Sequence, residues 1–230
     1  MFNRAREWGL WNKDNPTLGI KKFKEKSRDR FIQSDELPKF FQALQDEENG
    51  SMRDYFLISL LTGARRANVL GLRWADINFT RNEWRIEETK NGESQTVPLT
   101  LEVVGILKER KKQADSVFIF PGVGKSGHMV EPKSGWKRIL KRAGLEDLRI
   151  HDLRRTLGSW QAASGSSLPI IGKSLNHKNA STTSIYARLD IDPVRKSVEV
   201  ANEAILKAAN QPTKPRHEKI RTISEKNKKK

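Results

Sequence analysis

The sequence predicts an α+β fold, mainly α-helical, with one small antiparallel β-sheet or hairpin. Three observations carry that prediction. Apolar residues recur at i, i+3, i+4 and i+7 in segments before residue 75 and after residue 100, the signature of helices with one buried stripe. Between residues 77 and 99 the spacing changes to every second residue around Asn91-Gly92, a strong hairpin-turn signal. The composition is that of a cored but polar chain, with 36% hydrophobic and 7% aromatic residues among 230. That length holds one large domain or two small ones.

Taken in order, Phe2, Ala5, Trp8 and Leu10 read as the last turns of a helix that breaks at Asn15-Pro16. The basic, poorly periodic run LGIKKFKEKSRDR then reads as a linker. Two readings of the first helix stay open: the end of a preceding domain, or a short helix docked on this one. From residue 34 a helix is expected, with Ser34 as cap, Asp35 and Glu36 at its positive start, and Leu37, Phe40, Phe41 and Leu44 as its stripe. After Asn49-Gly50, DYFLISLL is apolar all round and predicts a helix in the middle of the domain, with Tyr55 in the core. It ends at Thr62-Gly63. LTGARRANVLGLRW then places Arg65 at a helix start, beside backbone N–H groups that lack partners. Taken alone, that arginine reads better as a surface ion pair.

Residues 77–99 read as a strand followed by a hairpin, with Trp84, Ile86, Val97 and Leu99 facing one side. Lys90 stands just before the turn; an ammonium at such a tip is either solvated or able to reach into a groove. Leu101 to Lys112 is an amphipathic helix and VFIF (117–120) a short buried strand. The loop after it is glycine-rich but lacks the GxxxxGK[ST] spacing of a nucleotide-binding loop, and His128 falls there with no partner motif. Trp136, Ile139, Leu140 and Ala143 mark another helix.

The stretch from His151 to Tyr186 concentrates the chemistry. A helix over 151–163 puts His151 and Arg154 on one face and Leu153, Leu157 and Trp160 on a stripe suited to burial. After Gly165, Pro169 opens a second short helix, a polar turn carries His177, and Ser181 to Thr183 can cap a last helix holding Tyr186. Each residue alone also fits a helical core segment with polar decoration. Beyond it, Asp192-Pro193 starts a helix with Val194, Val198, Ala201, Ile205 and Ala208 on one face, and residues 211–230 read as a basic disordered tail.

Charge is the strongest bulk signal. The chain carries 44 Lys and Arg against 28 Asp and Glu, a net +16. The last twenty residues hold eight Lys or Arg and two Glu, so +6 lies there and +10 on residues 1–210. A basic body favours a polyanion, most commonly a phosphate backbone. No basic amphipathic helix with an exposed apolar face presents itself for acidic lipid, and no signal peptide or bilayer-length apolar run is present. Cysteine is absent, which excludes disulfides and thiolate metal sites and fits a reducing compartment.

Taken together, LTGARR, TKNG before a VPL strand, HDLRRT and LNHKNASTTSIYAR resemble the tyrosine recombinase (phage integrase) family, in that order and over residues 31–190. Each piece is weak alone; the combination is specific. The prophage integrases of temperate phages are the subgroup the pieces resemble best. The resemblance implies a tyrosine recombinase catalytic domain over 31–190, with residues 1–30 as the end of a core-binding domain and its linker, 191–210 as a C-terminal helix, and the basic tail after it. It implies that Tyr186 attacks a DNA phosphodiester to give a 3′-phosphotyrosyl link. Arg65 and Arg154 would grip the phosphate, Lys90 would protonate the leaving 5′ oxygen, His151 would assist as acid or base, and His177 would bond the phosphate or position its neighbours. The residue types suit those tasks: a phenol with a pKa of about 10 needs a positive environment to attack, and a guanidinium forks onto phosphate oxygens.

No ATP, metal or other cofactor is expected, since the covalent link conserves the phosphodiester energy and the sequence shows no carboxylate cluster for magnesium. The implied partners are double-stranded DNA attachment sites, other recombinase protomers in a tetramer on DNA, and accessory DNA-bending proteins, with no membrane. The implied setting is the bacterial cytoplasm and nucleoid. Two departures stand out. Asn68 occupies a position where the family usually has glutamate, removing a carboxylate that would support Arg65, and Asn176 stands where glycine commonly precedes the histidine. The rival readings are a non-catalytic helix-turn-helix over residues 151–175, with no use for Tyr186, and a type IB topoisomerase-like enzyme with the same chemistry but no strand exchange.

Overall fold

The computed structural model describes residues 1–21, 23, 28–87, 94–188 and 192–209. Lys90, the Asn91-Gly92 turn and the basic tail expected over 211–230 lie outside the described residues. Helix α1 (Phe2–Glu7) buries none of its residues, so it is not docked on the domain. The chain becomes part of the core at Ile32, which is fully buried.

Helix α2 (Leu37–Gln45) has Pro38 in its first turn and buries Phe40, Ala43 and Leu44. Its cap is Glu36 rather than the expected Ser34. Glu36 makes no side-chain bond to the helix; its carboxylate takes two bonds of 2.7 Å from Arg30 and one from the Gln33 N–H. Helix α3 (Gly50–Thr62) is capped by Asn49, whose Oδ1 accepts from the Met52 N–H at 3.0 Å. It runs through the centre with Tyr55, Phe56, Ile58 and Leu60 buried, and ends on Gly63 in the left-handed region at φ 59°. Helix α4 (Arg66–Leu70) follows at once, with Arg65 as its N-cap residue.

Strands β1 (Ile77–Asn78), β2 (Glu83–Ile86) and β3 (Gln95–Pro98) form an antiparallel sheet in that order, with Trp84 opposite both Ile77 and Val97. Trp84, Ile86, Val97 and Leu99 are buried, as their alternation predicts. Helix α5 (Leu101–Lys111) buries Val103, Val104 and Leu107. VFIF is not a strand. Phe118 makes one isolated bridge to Arg73, Val117 is exposed, and only Ile119 and Phe120 are buried, because Arg110 binds the Ile119 carbonyl and lies over the Phe120 ring. Helix α6 (Lys133–Ala143) packs on α2 through Trp136 and Phe40.

Helix α7 (Asp152–Ala163) packs along α3. Leu153 is fully buried, but Trp160 remains 38% exposed, against expectation. The buried face of α7 is made largely of Asp152, Arg154, Thr156, Gly158 and Ser159, and Trp160 lies at its edge with its indole N–H on the Ile32 carbonyl at 3.3 Å. The run expected to be a linker is fastened here too. Arg28 bonds the buried Asp152 carboxylate at 3.0 Å, the Arg28 carbonyl accepts from Arg155 at 2.5 Å, and the Ile32 N–H donates to Thr156 at 3.0 Å. Helix α8 (Leu168–Ser174), opened by Pro169, and the short α9 (Ala180–Thr183) lead to a 3-10 turn (Ser184–Arg188) that carries Tyr186. Ser181 and Thr183 therefore lie inside α9, whose cap position is Asn179. Helix α10 (Asp192–Ala209) touches α7 and leaves Val198, Ile205 and Leu206 exposed. Among the described residues no helix is long and apolar enough to cross a membrane.

Candidate active site

Five of the six expected site residues are described, and they converge. His151 precedes the first turn of α7 and Arg154 lies one turn on, as the three-residue spacing requires. Together with Arg155, His177, Ile185 and Tyr186 they line a cleft of about 290 Å³. Arg65 approaches from the other side, donating from Nη2 to the Asn176 carbonyl at 2.9 Å, next to His177. The sixth residue, Lys90, is outside the described residues, but the hairpin's returning strand is anchored at the site: Gln95 donates to the Ser174 carbonyl at 3.0 Å.

The two arginines are held differently. Arg154 is buried and donates to the Gly63 carbonyl at 2.7 Å and to the Leu175 carbonyl, so it clips the end of α3 to the end of α8. Arg65 has a buried Nη1 with no acceptor among the described residues. Three residues further on, the Nδ2 of Asn68 is also buried without an acceptor among them. An amide thus stands where the family usually has a carboxylate, and it adds a second donor where that carboxylate would accept. The other departure is conformational. Asn176 sits at φ 50°, a left-handed position that glycine adopts freely and that asparagine tolerates best among the rest. The exchange keeps the turn that presents the Asn176 carbonyl to Arg65.

The electrostatics are those of a cation cluster. Burial, then the charges of Arg154 and Arg65, push the His177 pKa down to about 4. Burial and the neighbouring Arg154 and Arg155 also lower His151, with Asp152 opposing. Burial and Arg65 bring Arg154 down to about 10. At both histidines the neighbouring guanidinium charges favour the neutral imidazole. Such a cluster is relieved by an anion. His177 is oriented by Thr183, whose Oγ1 lies 3.0 Å from Nδ1, and its ring lies parallel to Tyr186 at a centroid separation of 6.1 Å. Tyr186 is 3% exposed; burial raises its pKa while Arg154 and Arg155 pull the other way.

Sequence reasoning missed two contributors. Arg155 lines the cleft, and its spacing of four from His151 was the available signal. Thr183 orients His177, for which no local pattern exists.

Residues 30–192 match the model of the phage integrase family. The chain belongs to that family. Among its relatives, the prophage integrase IntF of Escherichia coli (strain K12) is 31% identical over 187 residues, covering 79% of this chain and 40% of the relative. Tyrosine recombinase XerA of Pyrococcus furiosus is 28% identical over 186 residues, covering 77% of this chain and 63% of the relative. The chain thus spans less than two thirds of these relatives. In fold it is similar to the XerA recombinase crystal structure, with a TM-score of 0.61 at 18% identity over 80% of this chain and 66% of that one. It is likewise similar to the catalytic domain of bacteriophage HP1 integrase, with a TM-score of 0.56 at 19% identity over 74% and 93% of the two chains. The expected mainly helical recombinase fold with a small antiparallel sheet is the fold observed.

Proposed function

We propose that this integrase-family chain is a tyrosine-type site-specific DNA recombinase that cleaves and rejoins DNA for integration and excision of a phage or other mobile element. One observation carries the reading: His151, Arg154, His177 and a buried tyrosine line one cleft, with an Arg65 nitrogen beside it that has no acceptor among the described residues. A scissile phosphate supplies the missing anion. The phenol oxygen of Tyr186 attacks phosphorus and forms the 3′-phosphotyrosyl bond as the P–O bond to the 5′ oxygen breaks. Lys90 gives that leaving oxygen its proton, and His151 assists proton transfer. Arg65 and Arg154 neutralise the extra charge on the five-coordinate phosphorus, where preorganised donors act most strongly. His177 bonds a phosphate oxygen and, through its stacked ring, holds Tyr186. The steps conserve the phosphodiester energy, so the reading requires no ATP and no resident metal.

Double-stranded attachment sites are the proposed substrate, by analogy with the XerH site-specific recombinase, a structural neighbour bound to its palindromic difH substrate. The net charge of +16 suits a phosphate backbone and makes binding salt-sensitive. Protomers acting as a tetramer on DNA, accessory DNA-bending proteins, and action at the bacterial nucleoid complete the proposal. Its domain division is 1–30 as the end of a core-binding domain and linker, 31–190 as the catalytic domain, 191–210 as the C-terminal helix and 211–230 as the tail. A helix-turn-helix over 151–175 would place α8 in a groove and leave the cleft that Tyr186 shares with His151, Arg154 and His177 without a role.

The test is an SDS-resistant protein–DNA adduct on nicked duplexes, with the attachment site selected from a random-sequence library. The expected result is an adduct that Tyr186→Phe loses while it still binds DNA. An adduct that persists in Tyr186→Phe removes the nucleophile assignment. Lys90→Ala should be slow with a normal 5′ oxygen and rescued by a 5′-thio leaving group; an equal defect on both substrates removes Lys90 as the acid.

A further inference from the structure

We infer that Gly158 is a positioning residue for Tyr186, its bare Cα serving as the floor on which the phenol ring lies; this rests on the proposed role of Tyr186. Gly158 stands in the interior of α7, where glycine weakens a helix relative to alanine. Its φ is not positive, so the backbone makes no demand for glycine. What the residue supplies is the absence of a side chain. A Cβ at Gly158 would lie 2.5 Å from Cζ and 2.6 Å from Cε1 of Tyr186, and 3.0 Å from a methyl of Leu175.

A second glycine repeats the device one helix on. A Cβ at Gly172 in α8 would lie 3.0 Å from Thr183 Oγ1, the atom that meets His177 Nδ1. The segment from Thr183 to Tyr186 is therefore laid down on two glycines. One sets the hydroxyl that orients His177, and the other sets the ring that stacks on it. Opening an ordinary contact of 3.4 Å or more at Gly158 requires the phenol ring to move by about 1 Å, and misplacing a reacting group by that much costs about a hundredfold in rate.

Tyrosine occurs twice in the chain, at 55 and 186, so labelling with 3-fluorotyrosine gives two fluorine resonances, assigned by Tyr186→Phe. In the wild type a soluble gadolinium chelate should leave both sharp, since both rings are buried. Broadening of the Tyr186 signal overturns the seat without any variant. Gly158→Ala should shift the Tyr186 resonance, leave that of Tyr55, and slow adduct formation about a hundredfold with DNA binding unchanged. An unmoved Tyr186 resonance or a full adduct rate in a folded Gly158→Ala overturns the proposal. If that variant does not fold, the wild-type broadening decides. The two readings fail separately: an adduct in Tyr186→Phe removes the nucleophile while the resonances still judge the seat, and an adduct lost in Tyr186→Phe but kept in Gly158→Ala removes the seat alone.

Discussion

The chain's two tyrosines lie in two different apolar regions, and both are nearly inaccessible. Tyr55 sits in the main core, edge-on to Phe56 and Phe120 at centroid separations of 5.0 and 5.6 Å. Tyr186 sits in a small separate cluster with Ile171 and Leu175. Burial raises both pKa values, that of Tyr55 to about 12. The difference lies in what stands beside the ring. Tyr55 lies in the main core with the Ser59 hydroxyl and the more distant Arg66 charge as its polar neighbours, whereas Tyr186 shares a cleft wall with two histidines and two arginines. Depth of burial does not separate the core phenol from the proposed nucleophile. The surrounding charge does.

The sharpest way to break that comparison is to remove each hydroxyl. Tyr186→Phe should lower strand cleavage by on the order of 10⁴-fold or more, the scale seen when a nucleophile is deleted. Tyr55→Phe should leave cleavage within about twofold and stability within about 1 kcal/mol, since the Tyr55 hydroxyl is buried without a hydrogen-bond partner among the described residues. Cleavage assays and urea melts on the pair check this, and comparable activity losses would erase the distinction.

The arginines extend the contrast to stability. Arg154→Ala strands the Gly63 and Leu175 carbonyls and should cost about 2 kcal/mol in a urea melt, besides activity. Arg65→Ala gives up one carbonyl bond and should cost less than about 1 kcal/mol while losing activity to a similar extent. Equal destabilisation by the two would show that Arg65 is as structural as Arg154.

The smallest effect is in the pH profile. The folded pKa of His177, about 4, lies below the unfolded value near 6.5, so the unfolded chain takes up this proton first as the solution is acidified. Its contribution to stability is complete above pH 6.5 and is lost as pH falls toward 4. Subtracting the urea-midpoint profile of His177→Asn from that of the wild type should show this limb in DNA-free protein. A flat difference would place the imidazole in a wetter, less cationic setting.

What the sequence disclosed was whatever local spacing encodes. The stripe of α2, the apolar α3, the alternation of Trp84, Ile86, Val97 and Leu99, and the pairing of His151 with Arg154 all follow from periods of 3.6 and 2. Contacts that depend on docking were not legible. Nothing near Arg28 announces Asp152, and nothing near Trp160 says that polar Asp152, Thr156 and Ser159 would take the buried side of α7. VFIF has strand composition, but its antiparallel pairing with Leu72–Trp74 is limited to a single bridge at Arg73 and Phe118, too short for a strand. In the site, Thr183 was hidden for the same reason, its role being fixed by what α9 faces, whereas Arg155 stood at a legible spacing of four from His151.

The bond from Arg65 to the Asn176 carbonyl joins residues 111 apart, and that from Arg28 to Asp152 joins residues 124 apart. At a translation rate of about 5–20 residues per second, Arg65 is added to the chain roughly 5–20 s before Asn176. During that interval its guanidinium has neither its carbonyl nor the second arginine beside it. The cleft therefore assembles late in synthesis, after the loops that close it have been drawn together. A nascent chain halted before residue 176 carries the first arginine and lacks the pocket.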